Sequence, residues 1–179
     1  PSVMKRHTVH LLDCTPAGSA ASWFREALAK CGDLNFRASA PEEGGAALAG
    51  ADILIISGSP RDAFADDAWT RMVMDVATAG LGLGIPVLGV CYGHQLLGRL
   101  HGAEVARNPR GWEVGECVVQ STGEASPLGF VSSFRVLESH QDCVMAAPAG
   151  CRVLASNDHT LVQAAEWAPH VYGVQFHPE

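Results

Sequence analysis

The fold is decided by the stretch Pro86-Val-Leu-Gly-Val-Cys-Tyr-Gly-His-Gln-Leu-Leu-Gly-Arg-Leu-His-Gly102. Its first five residues form a continuous apolar run, which is typical of a strand buried on both faces. A helical pattern follows directly, from Cys91 to His101, and Gly102 ends it. A buried strand that leads straight into a helix predicts a parallel sheet covered by helices.

The same alternation extends over residues 9–102 and predicts a doubly wound sheet. Further strands are predicted at Val9–Asp13, Leu34–Ala38 and Ala51–Ser57, and further helices at Ser19–Cys31 and Asp66–Ala79. After residue 102 the pattern changes to short strand-like runs, which indicate an antiparallel extension or a meander at one sheet edge. These runs are Val114–Gln120, Phe134–Leu137, Arg152–Ser156, Leu161–Glu166 and His170–Phe176.

Composition restricts the class of protein. The 179 residues fit one domain, which we expect to span residues 1–179. A hydrophobic content of 47% with 17% charged residues predicts a compact core, and the net charge of −7 argues against nucleic-acid and membrane-surface roles. No apolar run approaches the roughly 18 residues of a membrane span, and no signal-peptide core is evident, so a cytoplasmic location is expected. Residues 1–3, ahead of Met4, are expected to be an expression remnant.

The segment Gly89-Val-Cys-Tyr-Gly93 has the form of a nucleophile elbow with cysteine in place of serine. A tight strand-to-helix turn forces the nucleophile into a strained backbone conformation, and glycines two residues away on either side prevent clashes. The helix N-terminus favours the thiolate form of Cys91. The simpler alternative is a buried cysteine in a glycine-rich turn.

The segment Val174-Gln-Phe-His-Pro-Glu179 provides a base and an acid for that cysteine. His177 follows a predicted strand, and Glu179 lies two residues on, where an extended chain points in the same direction. The order Cys91, His177, Glu179 would be one more arrangement of nucleophile, base and orienting acid. For this segment alone, a surface histidine is the competing interpretation.

Together, Gly89-Val-Cys-Tyr-Gly-His-Gln95 and Gly173-Val-Gln-Phe-His-Pro-Glu179 resemble the two signature motifs of class I glutamine amidotransferases. The resemblance implies a flavodoxin-like, three-layer α/β fold with a mostly parallel sheet and an antiparallel edge extension. It also implies a Cys-His-Glu triad that hydrolyses the γ-amide of glutamine through a thioester. Two further segments occur in the family's order. They are the oxyanion loop at Ser57-Gly-Ser-Pro60 and a substrate-contacting loop at Ser139-His-Gln-Asp142.

By this resemblance, the backbone N–H groups of Ser59 and Tyr92 form the oxyanion hole. The residues that contact substrate are Gly58, Gln95, His140, Gln141 and Asp142. His94 lies one helical turn after Cys91 but is interpreted as a packing residue. Thioester chemistry needs no metal or cofactor, and no such group is expected.

The chain departs from the family pattern at two points. Serine stands at position 59, where related enzymes usually have glycine, so the oxyanion donor depends on a tolerated backbone conformation. The family also normally continues past the position of Glu179 with at least one helix, so an element after residue 179 is expected to be absent from this chain.

The ammonia acceptor stays open at this stage. No synthetase motif is evident, so the chain is either a subunit that serves a separate synthetase or a stand-alone hydrolase. The segments Gly58-Ser-Pro60, Gly111-Trp-Glu-Val-Gly115 and Ser139-His-Gln-Asp142 most resemble the stand-alone, GMP-synthase-like group of these amidotransferases. That group also resembles the plant γ-glutamyl peptidases, so hydrolysis of γ-glutamyl peptides or amines without ammonia transfer is the alternative. A catalytically silent binding module is disfavoured by the intact triad. A superfamily of cysteine hydrolases and chaperones commonly has histidine after its elbow cysteine, whereas Tyr92 stands here.

Overall fold

The computed structural model describes residues 6–179. The expected remnant at residues 1–3 lies outside the described residues. Three α-helices occur in the described part: α1 (Ala20–Leu28), α2 (Ala68–Gly82) and α3 (Tyr92–Leu100). The strands are β1 (Thr8–Leu12), β2 (Asn35–Ser39), β3 (Ile53–Ile56), β4 (Val87–Val90), β5 (Val105–Arg107), β6 (Glu113–Ser121), β7 (Ser133–His140), β8 (Asp142–Val144), β9 (Arg152–Ser156), β10 (Ala164–Ala168) and β11 (Val171–Val174).

Within residues 6–179, nine strands form one mixed sheet with the order β2-β1-β3-β4-β11-β10-β9-β6-β7. The first five pair in parallel, and the remaining pairings are antiparallel. The predicted parallel sheet with an antiparallel extension is therefore confirmed. Strands β5 and β8 form a separate small sheet.

Helices cover both faces of the sheet. Alternate residues of β3 pack into different cores: Leu54 and Ile56 pack with α2 and α3, whereas Ile55 packs with Phe24 of α1. Such two-sided burial explains why the central strands are apolar throughout instead of alternating. The arrangement of helices, sheet and helix gives the three layers that the sequence predicts.

The last predicted strand was placed wrongly. We expected His170–Phe176 in the antiparallel edge, but β11 lies in the middle of the sheet, where it pairs in parallel with β4 and in antiparallel with β10. An apolar run shows that a strand is buried, but it does not say which neighbours the strand pairs with. The consequence for function is direct, since the C-terminal ends of β4 and β11 lie side by side.

Among the described residues, no helix combines the length and apolar character that crossing a membrane requires.

Candidate active site

Cys91 occupies a strained turn between β4 and α3. Its backbone has φ 50° and ψ −104°, a region that non-glycine residues rarely adopt. Its N–H donates to the Val174 carbonyl of the adjacent β11 at 2.8 Å, which fixes the turn against the neighbouring strand. Strain that is held by surrounding structure is a feature of functional turns.

Gly89 and Gly93, on either side of Cys91, have no room for a side chain. A Cβ added to Gly89 would lie 2.4 Å from the Gly93 carbonyl, and one added to Gly93 would lie 2.3 Å from the Ile56 oxygen. Both distances are too short for real carbon contacts. The turn therefore packs backbone against backbone, as the elbow prediction requires.

His177 and Glu179 follow β11 and meet the elbow at the end of β4. His177 Nδ1 lies 2.8 Å from Glu179 Oε1. The His177 backbone N–H donates to the Leu137 carbonyl of β7 at 2.9 Å, which anchors this terminal segment to the sheet edge. Gly58 lies at the same point, since a Cβ added there would lie 3.2 Å from His177 Cε1 and 3.7 Å from Cys91 Cβ.

Electrostatics favour a protonated His177. Burial disfavours the imidazolium, but hydrogen bonds to the Cys91 and Glu179 side chains outweigh that cost and raise the pKa of His177 to about 10. The structure thus brings together the three side chains that the sequence proposed as nucleophile, base and orienting acid. In this arrangement His177 can hold a proton next to the sulfur and deliver it to a leaving group.

The two proposed oxyanion donors flank this trio. Tyr92 is the first residue of α3, where backbone N–H groups have no partner within the helix. Ser59 follows β3, and its φ is not positive, because the non-glycine residues with positive φ in residues 6–179 are Ala17, Cys91 and His170. The backbone at position 59 therefore suits serine.

Two cavities meet at Cys91. One, of about 380 Å³, includes the charged residues Arg61, Asp62, Arg107 and Asp142. The other, of about 430 Å³, includes His177 and Glu179 together with Ala20, Trp23 and Leu137. We call them the charged cavity and the apolar cavity. Another cavity, of about 470 Å³, adjoins Ser59 and Pro60 but does not include Cys91, so it is not where chemistry on that sulfur occurs.

Most of the predicted substrate residues border the charged cavity. Gln95, Gln141 and Asp142 line it, whereas Gly58 lines the apolar cavity. The Gln95 amide donates to the Asp142 carbonyl at 2.7 Å and to Gln175 Oε1 at 3.1 Å, which fixes its orientation. The segment expected to be a loop at residues 139–142 is the end of β7, a one-residue turn and the start of β8.

His140 differs from the prediction of a substrate-contacting side chain. It is buried, and both ring nitrogens are engaged: Nδ1 lies 2.9 Å from the Asp142 carbonyl, and Nε2 lies 3.1 Å from Glu113 and 3.3 Å from Glu138. Burial disfavours its charge, but the two carboxylates raise the pKa of His140 to about 10. Its ring therefore serves a buried ion cluster, although the residue borders the charged cavity.

This cluster is also the group of potential metal ligands found within residues 6–179. The ligand atoms of Glu113, Glu138 and His140 lie within 4.8 Å of one another, a spacing that a divalent cation can bridge. Glu113 already accepts hydrogen bonds from Asn157, Thr160 and Gln163. A protonated His140 Nε2 lies between the two carboxylates and can bridge them without a cation. We therefore interpret the cluster as an ion triad that holds β6 to β7.

His94 has the packing role expected of it. Its ring is fully buried, Nε2 lies 3.1 Å from the Val162 carbonyl, and the ring packs on Trp167 with a centroid distance of 5.1 Å. Burial lowers the pKa of His94 to about 3, so the ring is neutral. It therefore does not compete with His177 as the base.

The sequence interpretation missed two arginines. Arg107 reaches Asp62 at 3.4 Å and Asp142 at 3.6 Å, and Arg61 stacks over Trp69 with 4.4 Å to the ring centroid. Both arginines line the charged cavity. Arg61 follows the oxyanion loop directly, and this position was a signal available in the sequence. Arg107 lies on β5, a three-residue strand without a recognisable pattern.

Comparison with known proteins gives a consistent picture. The family described as Glutamine amidotransferase class-I matches residues 13–179. Gamma-glutamyl peptidase 5 of Arabidopsis thaliana is 34% identical over 134 residues, which cover 72% of this chain and 53% of that protein. A glutamine-hydrolysing GMP synthase of Aeropyrum pernix is 40% identical over 136 residues, which cover 75% of this chain and 25% of that protein. The chain thus spans about half or less of these relatives.

Solved structures agree on the fold. The crystal structure of a glutamine amidotransferase from Thermotoga maritima superposes with a TM-score of 0.77 at 20% identity, covering 96% of this chain and 75% of that one. Since the identity is low, the likeness concerns the architecture alone.

Proposed function

The chain belongs to the class-I glutamine amidotransferase family, and we propose that it hydrolyses γ-glutamyl amides, with glutamine as substrate, through a thioester on Cys91. One observation carries the proposal. Cys91 lies in a strained elbow beside a histidine that is hydrogen-bonded to Glu179 at 2.8 Å. A nucleophile, a base and an orienting acid in contact are the minimum for acyl transfer.

The proposed first step forms the thioester. The Cys91 sulfur attacks the γ-carbonyl carbon, and the N–H groups of Ser59 and Tyr92 stabilise the charge that develops on oxygen. The C–N bond then breaks while His177 gives its proton to the departing nitrogen. Glu179 keeps the imidazole oriented and stabilises its positive charge.

The second step regenerates the enzyme. Water attacks the thioester carbon, His177 takes a proton from that water, and the C–S bond breaks to release glutamate. Both steps use the same four elements, because β3, β4, β11 and the start of α3 converge at one end of the sheet. Open α/β sheets commonly place ligands at this end.

A relative of known activity supports a second candidate. The Arabidopsis protein is named as a γ-glutamyl peptidase, and the cavity beside His177 has a volume of about 430 Å³ with Trp23 and Leu137 in its wall, which leaves room for a leaving group larger than ammonia. We therefore retain stand-alone hydrolysis of γ-glutamyl peptides or amines as the alternative. In the glutaminase version, residues 1–179 would act as a single domain that supplies ammonia to a separate synthetase. The Aeropyrum relative is named a glutamine-hydrolysing GMP synthase, a name that joins glutamine hydrolysis to such a synthesis.

The proposal is tested by measuring glutamate release from glutamine and from a γ-glutamyl dipeptide. We compare wild type, Cys91→Ala and the control Cys31→Ala, since Cys31 is an exposed thiol in the short 3-10 helix after α1 and lines neither cavity. Removal of the nucleophile should lower kcat/KM at least about a thousandfold, whereas the control keeps it. If Cys91→Ala retains the wild-type rate, Cys91 is not the nucleophile. If no protein releases glutamate from either substrate, the chain alone does not carry out the proposed hydrolysis, and it is either a glutaminase that a partner synthetase must activate or a silent module.

A further inference from the structure

We propose that the apolar cavity is a leaving-group subsite that favours γ-glutamyl amides of uncharged apolar or aromatic amines. The specificity-determining side chains in it are Trp23 and Leu137. The inference rests on the proposed function, because it assumes that Cys91 attacks a γ-glutamyl carbonyl. It goes further in assigning the two cavities to the two halves of the substrate.

The position of His177 decides which half of the substrate enters which cavity. The base must deliver its proton to the departing nitrogen, and His177 lines the apolar cavity but not the charged one. The nitrogen side of the scissile bond therefore points into the apolar cavity. The acyl side is left with the charged cavity, which also reaches Cys91.

The charged residues of the charged cavity match the γ-glutamyl half of the substrate. A γ-glutamyl group ends in an α-ammonium and an α-carboxylate, and both must be met by opposite charge. Arg61 and Arg107 offer cations for the carboxylate, and Asp62 and Asp142 offer anions for the ammonium. Arg107 is held between the two aspartates at 3.4 and 3.6 Å, so the charges are in place before substrate binds.

The size of the apolar cavity exceeds what ammonia needs. Ammonia is about as large as water, which occupies roughly 30 Å³ in the liquid. The cavity has a volume of about 430 Å³. The side chains of its wall are unusual for a surface, because Trp23 is 54% exposed and Leu137 is 58% exposed. Large apolar groups that face a cleft together are typical of a binding site.

The charge of the cavity selects against carboxylates. Among the described residues that line it, none is lysine or arginine, and both acids, Glu138 and Glu179, lie against it. The carboxyl group of Glu138 is buried and lies 3.3 Å from the ring of His140. Burial raises the pKa of Glu138, so a second carboxylate brought beside it is not favoured. An amino-acid leaving group would bring its own α-carboxylate towards these acids. The cation among the described lining residues, the imidazolium of His177, is already paired with Glu179 at 2.8 Å and gives up its proton to the departing nitrogen. An uncharged amine avoids this repulsion.

The wall is fixed relative to the base. The backbone carbonyl of Leu137 accepts a hydrogen bond from the His177 N–H at 2.9 Å. This bond fixes the residue that carries the apolar side chain to the segment that carries the base. Trp23 lies in the first turns of α1, whose start is held by Asp13 Oδ2 accepting from the Ala21 N–H at 2.8 Å. A preformed wall orders the leaving group at small entropic cost.

The reaction balances with water as the only co-reactant. A γ-glutamyl amide, R–CO–NH–R′, forms a C–S bond to Cys91 while its C–N bond breaks and the nitrogen takes the His177 proton, releasing R′NH₂. Water then forms a C–O bond as the C–S bond breaks, and glutamate leaves. The amine carries no negative charge into the apolar cavity at any step.

The experiment compares γ-glutamylbenzylamide with γ-glutamylmethylamide, which differ in a phenyl ring, and with γ-glutamylglycine, which adds a carboxylate. We measure kcat/KM of each for wild type, Trp23→Ala, Leu137→Ala and the control Leu83→Ala. Leu83 is 52% exposed at the end of α2, away from both cavities. Wild type should prefer the benzylamide to the other two by about tenfold or more, and both wall variants should reduce the benzylamide-to-methylamide ratio by about tenfold.

Every outcome decides the question. The control should keep the wild-type ratio, and Trp23→Phe should restore most of it. Cys91-dependent hydrolysis with no preference for the benzylamide, or with a ratio that the wall variants leave unchanged, overturns the subsite while the proposed function stands. A preference for γ-glutamylglycine also overturns it. Glutamate release that is absent, or independent of Cys91, rejects the proposed function itself and the subsite with it.

Discussion

At the residue scale, the candidate site depends on two segments that are distant in sequence and meet in space: the elbow with Cys91, and the segment with His177 and Glu179. The elbow glycines identified Cys91, and the i, i+2 spacing identified His177 with Glu179. His140 shows where such reasoning stops. Glu138 and His140 lie on the same face of β7, and their i, i+2 spacing shows this in the sequence. That the His140 ring is buried against Glu113 depends on the pairing of β7 with β6, which the sequence does not show. Pairing between distant strands cannot be inferred from local spacing.

The hydrogen bond between His177 and Glu179 predicts a pH effect. Glu179 helps to raise the pKa of His177 to about 10, so Glu179→Gln should lower that pKa. The imidazolium then loses its proton at lower pH, and the alkaline limb of kcat/KM should move down by about one pH unit or more. The profile is measured with glutamine between about pH 6 and pH 10. This range runs from near the unperturbed pKa of histidine, about 6.5, to the raised pKa of His177.

The matched control for this profile is Glu26→Gln. Glu26 is exposed on α1 and touches neither cavity, so its profile should coincide with that of wild type. An unchanged alkaline limb in Glu179→Gln would mean that Glu179 does not act on His177.

At the scale of elements, the site is a junction of strand ends. The predicted bounds of β4 and α3 agree with the structure within one residue, because a continuous apolar run and a closing glycine mark them clearly. Strands β5 and β8 were not predicted, because each has three residues, too few to show a period. The place of β11 beside β4 was missed for a different reason, since pairing is a long-range choice that local pattern does not encode.

The close approach of α3 to β3 predicts a large effect of one methyl group. In Gly93→Ala, the new Cβ would lie 2.3 Å from the Ile56 carbonyl oxygen, so α3 must shift. We expect a loss of about 2–3 kcal/mol in the free energy of unfolding, with loss of activity as the elbow moves. Urea unfolding followed by circular dichroism measures this.

Gly82→Ala is the control for that substitution. Gly82 is the last residue of α2, it lacks a positive φ, and an added Cβ would meet nothing within 4 Å. Alanine at this position should leave the free energy of unfolding unchanged or raise it by about 0.5–1 kcal/mol. Equal effects of the two substitutions would show that the elbow tolerates displacement.

At the scale of the whole molecule, the fold class followed from alternation, and its layers followed from continuous apolar strands. The charges buried inside the fold were not predictable in the same way. Residues 6–179 enclose a neutral histidine, His94, and a charged one, His140. Their difference comes from neighbours: a carbonyl and an indole for the first, and two carboxylates for the second.

These buried groups predict a stability maximum near neutral pH. The pKa of Glu113 is lowered to about 2 and that of His94 to about 3, so their contributions are complete above the unfolded values, about 4.3 and 6.5, and are lost as pH falls. The pKa values of His140 and His177 are raised to about 10, so their contributions are complete below about 6.5 and are lost as pH rises. Unfolding free energy measured across pH should peak near about 6.5. A maximum below pH 4 or above pH 9 would contradict this assignment of charges.

The central claim is that Cys91 is the nucleophile for γ-glutamyl substrates, and selective labelling tests it most directly. The protein is treated with a diazoketone analogue of glutamine and mapped by peptide mass spectrometry, with and without excess glutamine. Cys31, exposed on the surface, serves as the internal comparator among the thiols. The account predicts fast modification of Cys91, suppression by glutamine, and little modification of Cys31. An analogue that leaves Cys91 unmodified, or modifies it no faster than Cys31 and regardless of glutamine, would contradict the account.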